Sequence, residues 1–392
     1  MSESQPTNTS TSPAVLTEVR EAKQGKVGFI TLNSPSTLNS LSLDMVRSVR
    51  TALDEWANDD DIAVVLLRGE GEKAFCAGGD VQELYKSATE TPGGPCDYAE
   101  TFFLEEYQLN YLIHRYSKPI VCIGNGIVMG GGLGLMAGAS YRIATETTRI
   151  AMPEISIGLF PDVGGTWFLN KMPNALGIFF ALTGAHINAL DAKLTGLANH
   201  LMEARNIQDF ESKLVLSSWH TDRPKNESNL QQLLATHTCS EAHISQFSPS
   251  EIAPFKTKLS AACQQTSLGE VIKAIAALAP ESKWLKRANA TLEKGSALSS
   301  LLIFEQLKRY RYAALDKIFE QELSLATRIV RYPEFTEGVR ALLIDKDKSP
   351  KWKFEHFSGV SSELLETFFT APWPHNPLSE HLANINNSIK QQ

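Results

Sequence analysis

The chain contains no run of about 18 apolar residues, so no membrane-spanning helix is expected. Cysteine is sparse: Cys76, Cys96, Cys122, Cys239 and Cys263 are odd in number and form no C-x-x-C pair. That usage suits a reducing compartment and excludes a disulfide framework. Positive charge is in deficit, with 37 Lys and Arg against 44 Asp and Glu and a formal net charge of −7, which argues against a dedicated nucleic-acid binder. The one basic cluster, Lys308-Arg309-Tyr310-Arg311-Tyr312, lies in a helical pattern and reads as a solvated face. The opening "MSESQPTNTSTSP" lacks arginine and an apolar core, unlike a secretory signal or a mitochondrial presequence, so a cytoplasmic location is expected. No G-x-S-x-G elbow, G-x-G-x-x-G fingerprint or Walker loop is present. The histidines of "HTCSEAH" (237–243) match no zinc pattern, and no metal is expected.

What is present is a soluble globular composition, 43% hydrophobic and 21% charged. Residues 1–24 read as a disordered leader. "GKVGFITLN" (25–33) alternates as a strand with Val27, Phe29 and Thr31 on one face. Ser42 reads as the N-cap of a helix carrying Met45, Val46, Val49, Leu53 and Trp56 on one stripe. "IAVVLLRG" (62–69) and "PIVCIG" (119–124) read as strands buried on both faces. Helices are expected near 80–88 and 98–116, and further strands near 141–145 and 149–152. Strand, strand and helix units recur to about residue 202, which indicates an α/β layered core over 25–215. From 216 to 392 the pattern is mostly helical, with helices at 268–279 and 296–328 and polar stretches around 220–250.

Three stretches carry candidate chemistry. "FCAGGDV" (75–81) and "MGGGLG" (129–134) are glycine turns that follow strands and open helices, where bare backbone N–H groups face outward. One amide from each suffices for an oxyanion hole on a carbonyl. "AMPEISIGLFPDVGG" (151–165) places Glu154 after a proline and Asp162 on a constrained corner. A surface glutamate and a helix-capping aspartate are the plain alternatives for these two acids.

Together with "FTEGVRALLIDKDKSPKW" near the end, these motifs resemble the crotonase superfamily and, inside it, the 3-hydroxyisobutyryl-CoA hydrolase branch, over residues 25 to 355. The resemblance implies a crotonase-like spiral of ββα units with a helical C-terminal region, and an acyl-CoA thioester substrate of valine degradation. It places the oxyanion amides on Gly79 and Gly131, further acids on Glu106, Glu154 and Asp162, and no metal or cofactor. A homo-oligomer is an open expectation, since trimers and hexamers are common in the superfamily. The hydratases of the superfamily carry a glutamate three residues after the middle glycine; this chain has Gly134 there and Asp162 where they carry glycine. That exchange favours hydrolysis over hydration. An enoyl-CoA hydratase or isomerase is the alternative enzyme, and a non-catalytic acyl-CoA-binding protein the alternative of another class. Lys346, Lys348 and Lys351 are candidates for the CoA phosphates, against a solvated charged tail.

Overall fold

The computed structural model describes residues 12–239 and 241–390, with the side chains of 241–243 and 388–390 left aside. Residues 1–11 of the expected leader, and Ser240 and the side chains that follow it in "HTCSEAH", lie outside that description. The remainder of the leader is a correction. Val15–Glu21 form strand β1, which pairs antiparallel with β2 (Lys26–Leu32) across a turn where Gly25 takes φ 72°. Most of β1 is exposed, so its burial carries little periodic signal; its order comes from the backbone ladder to β2.

The elements that follow are α1 (Leu43–Ala57), β3 (Ile62–Gly69), β4 (Ala74–Cys76), α2 (Val81–Glu90), α3 (Asp97–His114), β5 (Ile120–Gly124), β6 (Ile127–Met129), α4 (Gly131–Gly138), β7 (Tyr141–Ala144), β8 (Arg149–Ala151), α5 (Gly165–Asn170), α6 (Leu176–Thr183), α7 (Ala189–Thr195) and β9 (His200–Leu201). They build two sheets. The larger has the order β1-β2-β3-β5-β7-β9 and the smaller β4-β6-β8, and every pairing after the first hairpin is parallel. Each turn of chain thus places one strand in the large sheet and the next in the small sheet, the ββα spiral. The short strands β4 and β6 escape a reading by period, since three residues are too few to show one.

β3 is buried from Ile62 to Leu67 because the large sheet is covered on both sides. Ile62, Val65 and Leu67 join the main core, while Ala63, Val64 and Leu66 join a second cluster under α8 (Ile207–Leu216) and α9 (Arg223–His237). The same holds for β2, whose Ile30 and Leu32 face one core and Val27 and Phe29 the other. It is therefore not a one-faced strand. Ser42 caps α1 as expected, accepting from Met45 N at 3.2 Å.

The C-terminal half adds α10 (Lys256–Cys263), α11 (Leu268–Leu278), α12 (Lys283–Lys294), α13 (Ala297–Arg309), α14 (Leu315–Val330), α15 (Pro333–Val339), α16 (Ser362–Phe369) and α17 (Ser379–Lys390). The polar stretch 220–250 contains α9, and the 296–328 helix is two helices broken at 310–314. Arg309 ends α13 paired with Glu305 and Glu366. Packing does not pause at residue 215: Phe160 and Phe319 belong to one core, because α13 and α14 turn their apolar stripes onto the spiral. No helix among the described residues is long and apolar enough to cross a membrane.

Candidate active site

The small sheet positions the site. β4, β6 and β8 run parallel, with Cys76 beside Val128 and Met129 beside Ala151, so their C-terminal ends open on one side. The three loops leaving them carry Gly79, Gly131 and Glu154. Ligand groups gather at such carboxyl ends of parallel strands because the loops there are set by a rigid ladder.

In the first loop Gly78 takes φ 111°, which favours glycine. Leu41 N donates to Gly78 O and Asp80 N donates to Leu41 O, both at 2.8 Å. That pairing leaves the Gly79 N–H between them turned away from Leu41, without a protein acceptor among the described residues. In the second loop Gly130 takes φ 47° and caps α4, so the Gly131 N–H is a first-turn donor with no acceptor inside its helix. Both glycines line one cavity of about 110 Å³. Larger clefts exist, one of about 410 Å³ beside Lys118 and His220, but none of these is lined by Glu106, Glu154 or Asp162.

Into the same cavity point Glu106, Glu154 and Asp162, each at most 5% exposed. A methyl carbon on Gly130 would stand 3.1 Å from Glu154 Oε1, and one on Gly131 would collide with Glu106 Oε1. Glycine at 131 is thus what admits the Glu106 carboxyl. Glu106 Oε1 and Glu154 Oε2 are buried with no protein partner. Asp162 Oδ2 accepts from the Tyr107 hydroxyl at 2.6 Å. Phe102, Phe103, Leu84 and Leu159 form the apolar wall, and no lysine or arginine lines the cavity.

Burial, together with mutual repulsion, sets the acidities. Burial pushes the Asp162 carboxyl up to about 6, against the Tyr107 hydrogen bond that favours its anion. Burial, then the charges of Asp162 and Glu154, raise Glu106 well above the usual carboxylate range. Glu154 is raised likewise by burial and by Asp162. A buried carboxyl whose acidity its surroundings shift in this way, and which faces a cavity, is a candidate for proton transfer.

The corner at 160–165 resolves the ambiguity over Asp162. Its side chain does not cap α5. That task falls to Glu322 of α14, whose Oε2 and Oε1 accept from Gly164 N at 2.7 Å and Thr166 N at 2.9 Å. Glu322 was not singled out from the sequence, although it stands on the apolar stripe of Ile318, Leu325 and Ile329, where a charged residue is out of pattern. Tyr107 and Leu342, which also borders the cavity, were missed as well.

A methyl carbon on Gly134 would lie 2.5 Å from Val163 Cβ and 3.1 Å from Asn110 Oδ1. No side chain fits there without displacement, so the position has no room for a second carboxylate. The three tail lysines do not share a cleft. Lys348 borders one of about 350 Å³ with Arg287 and Lys294, Lys351 borders another, and Lys346 lines neither.

The sequence pattern of the family described as Enoyl-CoA hydratase/isomerase matches residues 27–369. The chain belongs to that family. Proteins named "3-hydroxyisobutyryl-CoA hydrolase, mitochondrial" are similar to it along most of both lengths. The one from Danio rerio is 38% identical over 355 residues, 90% of either chain. That from Homo sapiens is 34% identical over 352 residues, 90% of this chain and 88% of its own. Among solved structures, a carnitinyl-CoA dehydratase from Mycobacterium thermoresistibile superposes with a TM-score of 0.81 at 31% identity, covering 94% of this chain and 99% of that one. An enoyl-CoA hydratase from Rhodobacter sphaeroides gives 0.76 at 29% identity, covering 92% and 98%. The enoyl-CoA hydratase/isomerase fold is therefore shared with enzymes named for different reactions, and the site must separate them.

Proposed function

We propose that this chain hydrolyses 3-hydroxyisobutyryl-CoA to 3-hydroxyisobutyrate and CoA. The observation that carries the reading is the pairing at one point of the spiral: Val163 closes the Gly134 position while its neighbour Asp162 brings a carboxyl into the cavity. Hydration of a double bond by two carboxylates around one water has lost one of the two. The names of the similar hydrolases support the same conclusion.

In this reading the thioester carbonyl accepts from Gly79 N–H and Gly131 N–H, which stabilise the tetrahedral oxyanion; one such donor is worth about 3–4 kcal/mol. Glu154 then acts as base or nucleophile. As base, it takes a proton from water while the water oxygen bonds the acyl carbon; the C–S bond breaks, and the proton passes to the departing sulfur. As nucleophile, its carboxylate oxygen bonds the acyl carbon while the C–S bond breaks and CoA thiolate leaves, and water then opens the resulting mixed anhydride. Asp162 and Glu106 would hold the acyl hydroxyl at the polar end of a cavity whose apolar wall includes Phe102, Phe103, Leu84 and Leu159. No cofactor is required for these steps. The tail lysines would meet CoA phosphates, Lys348 with Arg287 and Lys294 in the cleft that shares Leu342 with the acyl cavity.

Release of free thiol from a panel of acyl-CoAs tests the reading. Rapid release from 3-hydroxyisobutyryl-CoA with slow hydration of crotonyl-CoA is expected; the reverse order of rates would replace it with the hydratase reading. A cytoplasmic location is likewise our proposal, set against relatives whose names carry "mitochondrial", and cell fractionation decides it.

A further inference from the structure

Asp162 stands on backbone that does not hold itself. Val163, the next residue, takes φ 53°, left-handed backbone that a β-branched side chain rarely adopts. Gly164 follows at φ 84°. Such a conformation persists only where surrounding groups impose it. Local bonds to the corner are the Gly165 N–H to Asp162 O at 2.6 Å and the first-turn bonds of α5 from Trp167 and Phe168 N–H to Gly164 O. Beyond the Tyr107 bond to the Asp162 side chain, the backbone of the corner is held from the distant half of the chain: Glu322 of α14 takes the N–H groups of Gly164 and Thr166, and Gln306 of α13 donates to Thr166 Oγ1. Glu322 is fully buried and all its acceptor bonds go to this corner.

We infer that Glu322 is the positioning residue for Asp162, fixing the left-handed corner so that the Asp162 carboxyl meets both Tyr107 and the hydroxyl of the acyl group. The inference rests on the proposed hydroxyacyl-thioester reading for what Asp162 recognises. Glu322 is not among the residues lining the cavity, and its hydrogen bonds go to the loop. The ionisable groups around the corner are Glu106, Tyr107 and His114 on α3, Glu154 after β8, Asp162 itself and Glu322. Burial raises Glu322 to about 8 and lowers His114 to about 3, so the imidazole adds no positive charge at neutral pH. The corner is held by geometry and not by a counter-cation.

The test is substrate discrimination. Glu322→Gln keeps the shape but turns an N–H₂ group onto one of the two backbone donors, so one of the pair of bonds is lost. Expected is a fall of about tenfold or more in kcat/KM for 3-hydroxyisobutyryl-CoA, with isobutyryl-CoA changed by less than about threefold, because only the former uses Asp162. In the double variant with Asp162→Asn the two losses should not multiply, as residues acting through one another are non-additive. Equal loss on both thioesters, or multiplying losses, would overturn the inference and leave Glu322 a purely structural residue. Should Glu322→Gln fail to fold, Glu322→Asp, one methylene short of the corner, is judged by the same two criteria. Amide hydrogen exchange at Gly164 and Thr166 needs no turnover: faster exchange in the variant is expected, and unchanged exchange overturns the holding role. A wild type inactive on both thioesters, with that exchange difference intact, would instead sink the functional reading alone.

Discussion

The Tyr107 hydroxyl donates to Asp162 Oδ2 at 2.6 Å, and both groups are buried beneath the acyl cavity. This bond favours the Asp162 anion, opposing the burial that raises its carboxyl to about 6. Tyrosine itself is pushed well above 10 by burial, then by the Asp162 charge, and stays a donor throughout the working range. Tyr107→Phe removes the one side-chain donor to Asp162 among the described residues, so the Asp162 carboxyl should ionise at higher pH than in wild type. The acid limb of kcat/KM for the hydroxyacyl thioester is expected to move toward neutrality. A pH–rate profile that does not move would mean Asp162 ionisation does not govern the rate.

The two glycine turns predict separable effects at residue 131. Gly131→Pro removes the N–H that faces the cavity at a helix position where proline's φ is tolerated. Gly131→Ala keeps the N–H but shares the collision with the Glu106 carboxyl. Turnover of the proline variant should fall about a hundredfold or more below that of the alanine variant. Equal rates in two folded proteins would remove Gly131 from the oxyanion hole.

Val163 predicts that the hydratase pattern cannot be restored by one substitution. Gly134→Glu must displace Val163 and Asn110, and overpacking of this kind costs about 1–3 kcal/mol or more. A lowered melting temperature is expected, with no gain in crotonyl-CoA hydration. Gly134→Glu with Val163→Gly should recover part of the stability, since glycine relieves both the contact and the left-handed backbone. A Gly134→Glu protein that melts like wild type would show that the packing here yields easily.

Glu154→Gln should abolish turnover while the substrate still binds, and single turnover in ¹⁸O-water separates its two roles. Label entering Glu154 indicates the anhydride, and label in the acid product alone indicates attack by water. The substitution also carries a stability signature. Glu154 titrates above its unfolded value, so the folded state binds more protons and wild-type stability falls as pH rises from about 4.5 through its folded pKa. The melting temperature of Glu154→Gln relative to wild type should therefore rise between pH 5 and about 8. A constant difference across that range would mean that Glu154 ionises at its ordinary pKa.

Glu106 lends a further check on the polar end of the cavity. Glu106→Leu replaces a buried unpartnered acid by an apolar group, which favours folding. The variant should melt no lower than wild type at pH 8 yet lose activity on hydroxyacyl thioesters more than on plain ones. Loss of stability without that selectivity would assign Glu106 to structure.

Much of this protein was legible from residue order. Buried strands announce themselves by continuous apolar runs, helix starts by caps such as Ser42, and the site loops by glycines, of which Gly78 and Gly130 take positive φ. The stretches holding Gly79, Gly131, Glu154 and Asp162 are short and local, so their chemistry could be named before their meeting place was known. What residue order did not reveal depends on partners far along the chain. β1 is a strand because β2 lies beside it, and β2 is buried on both faces because α8 and α9 cover the sheet. The choice between cap and cavity for Asp162 turned on Glu322, 160 positions away, which takes the cap and frees the aspartate. A hydrogen bond needs its acceptor within about 3 Å of its donor, and only the folded chain determines which acceptor arrives there.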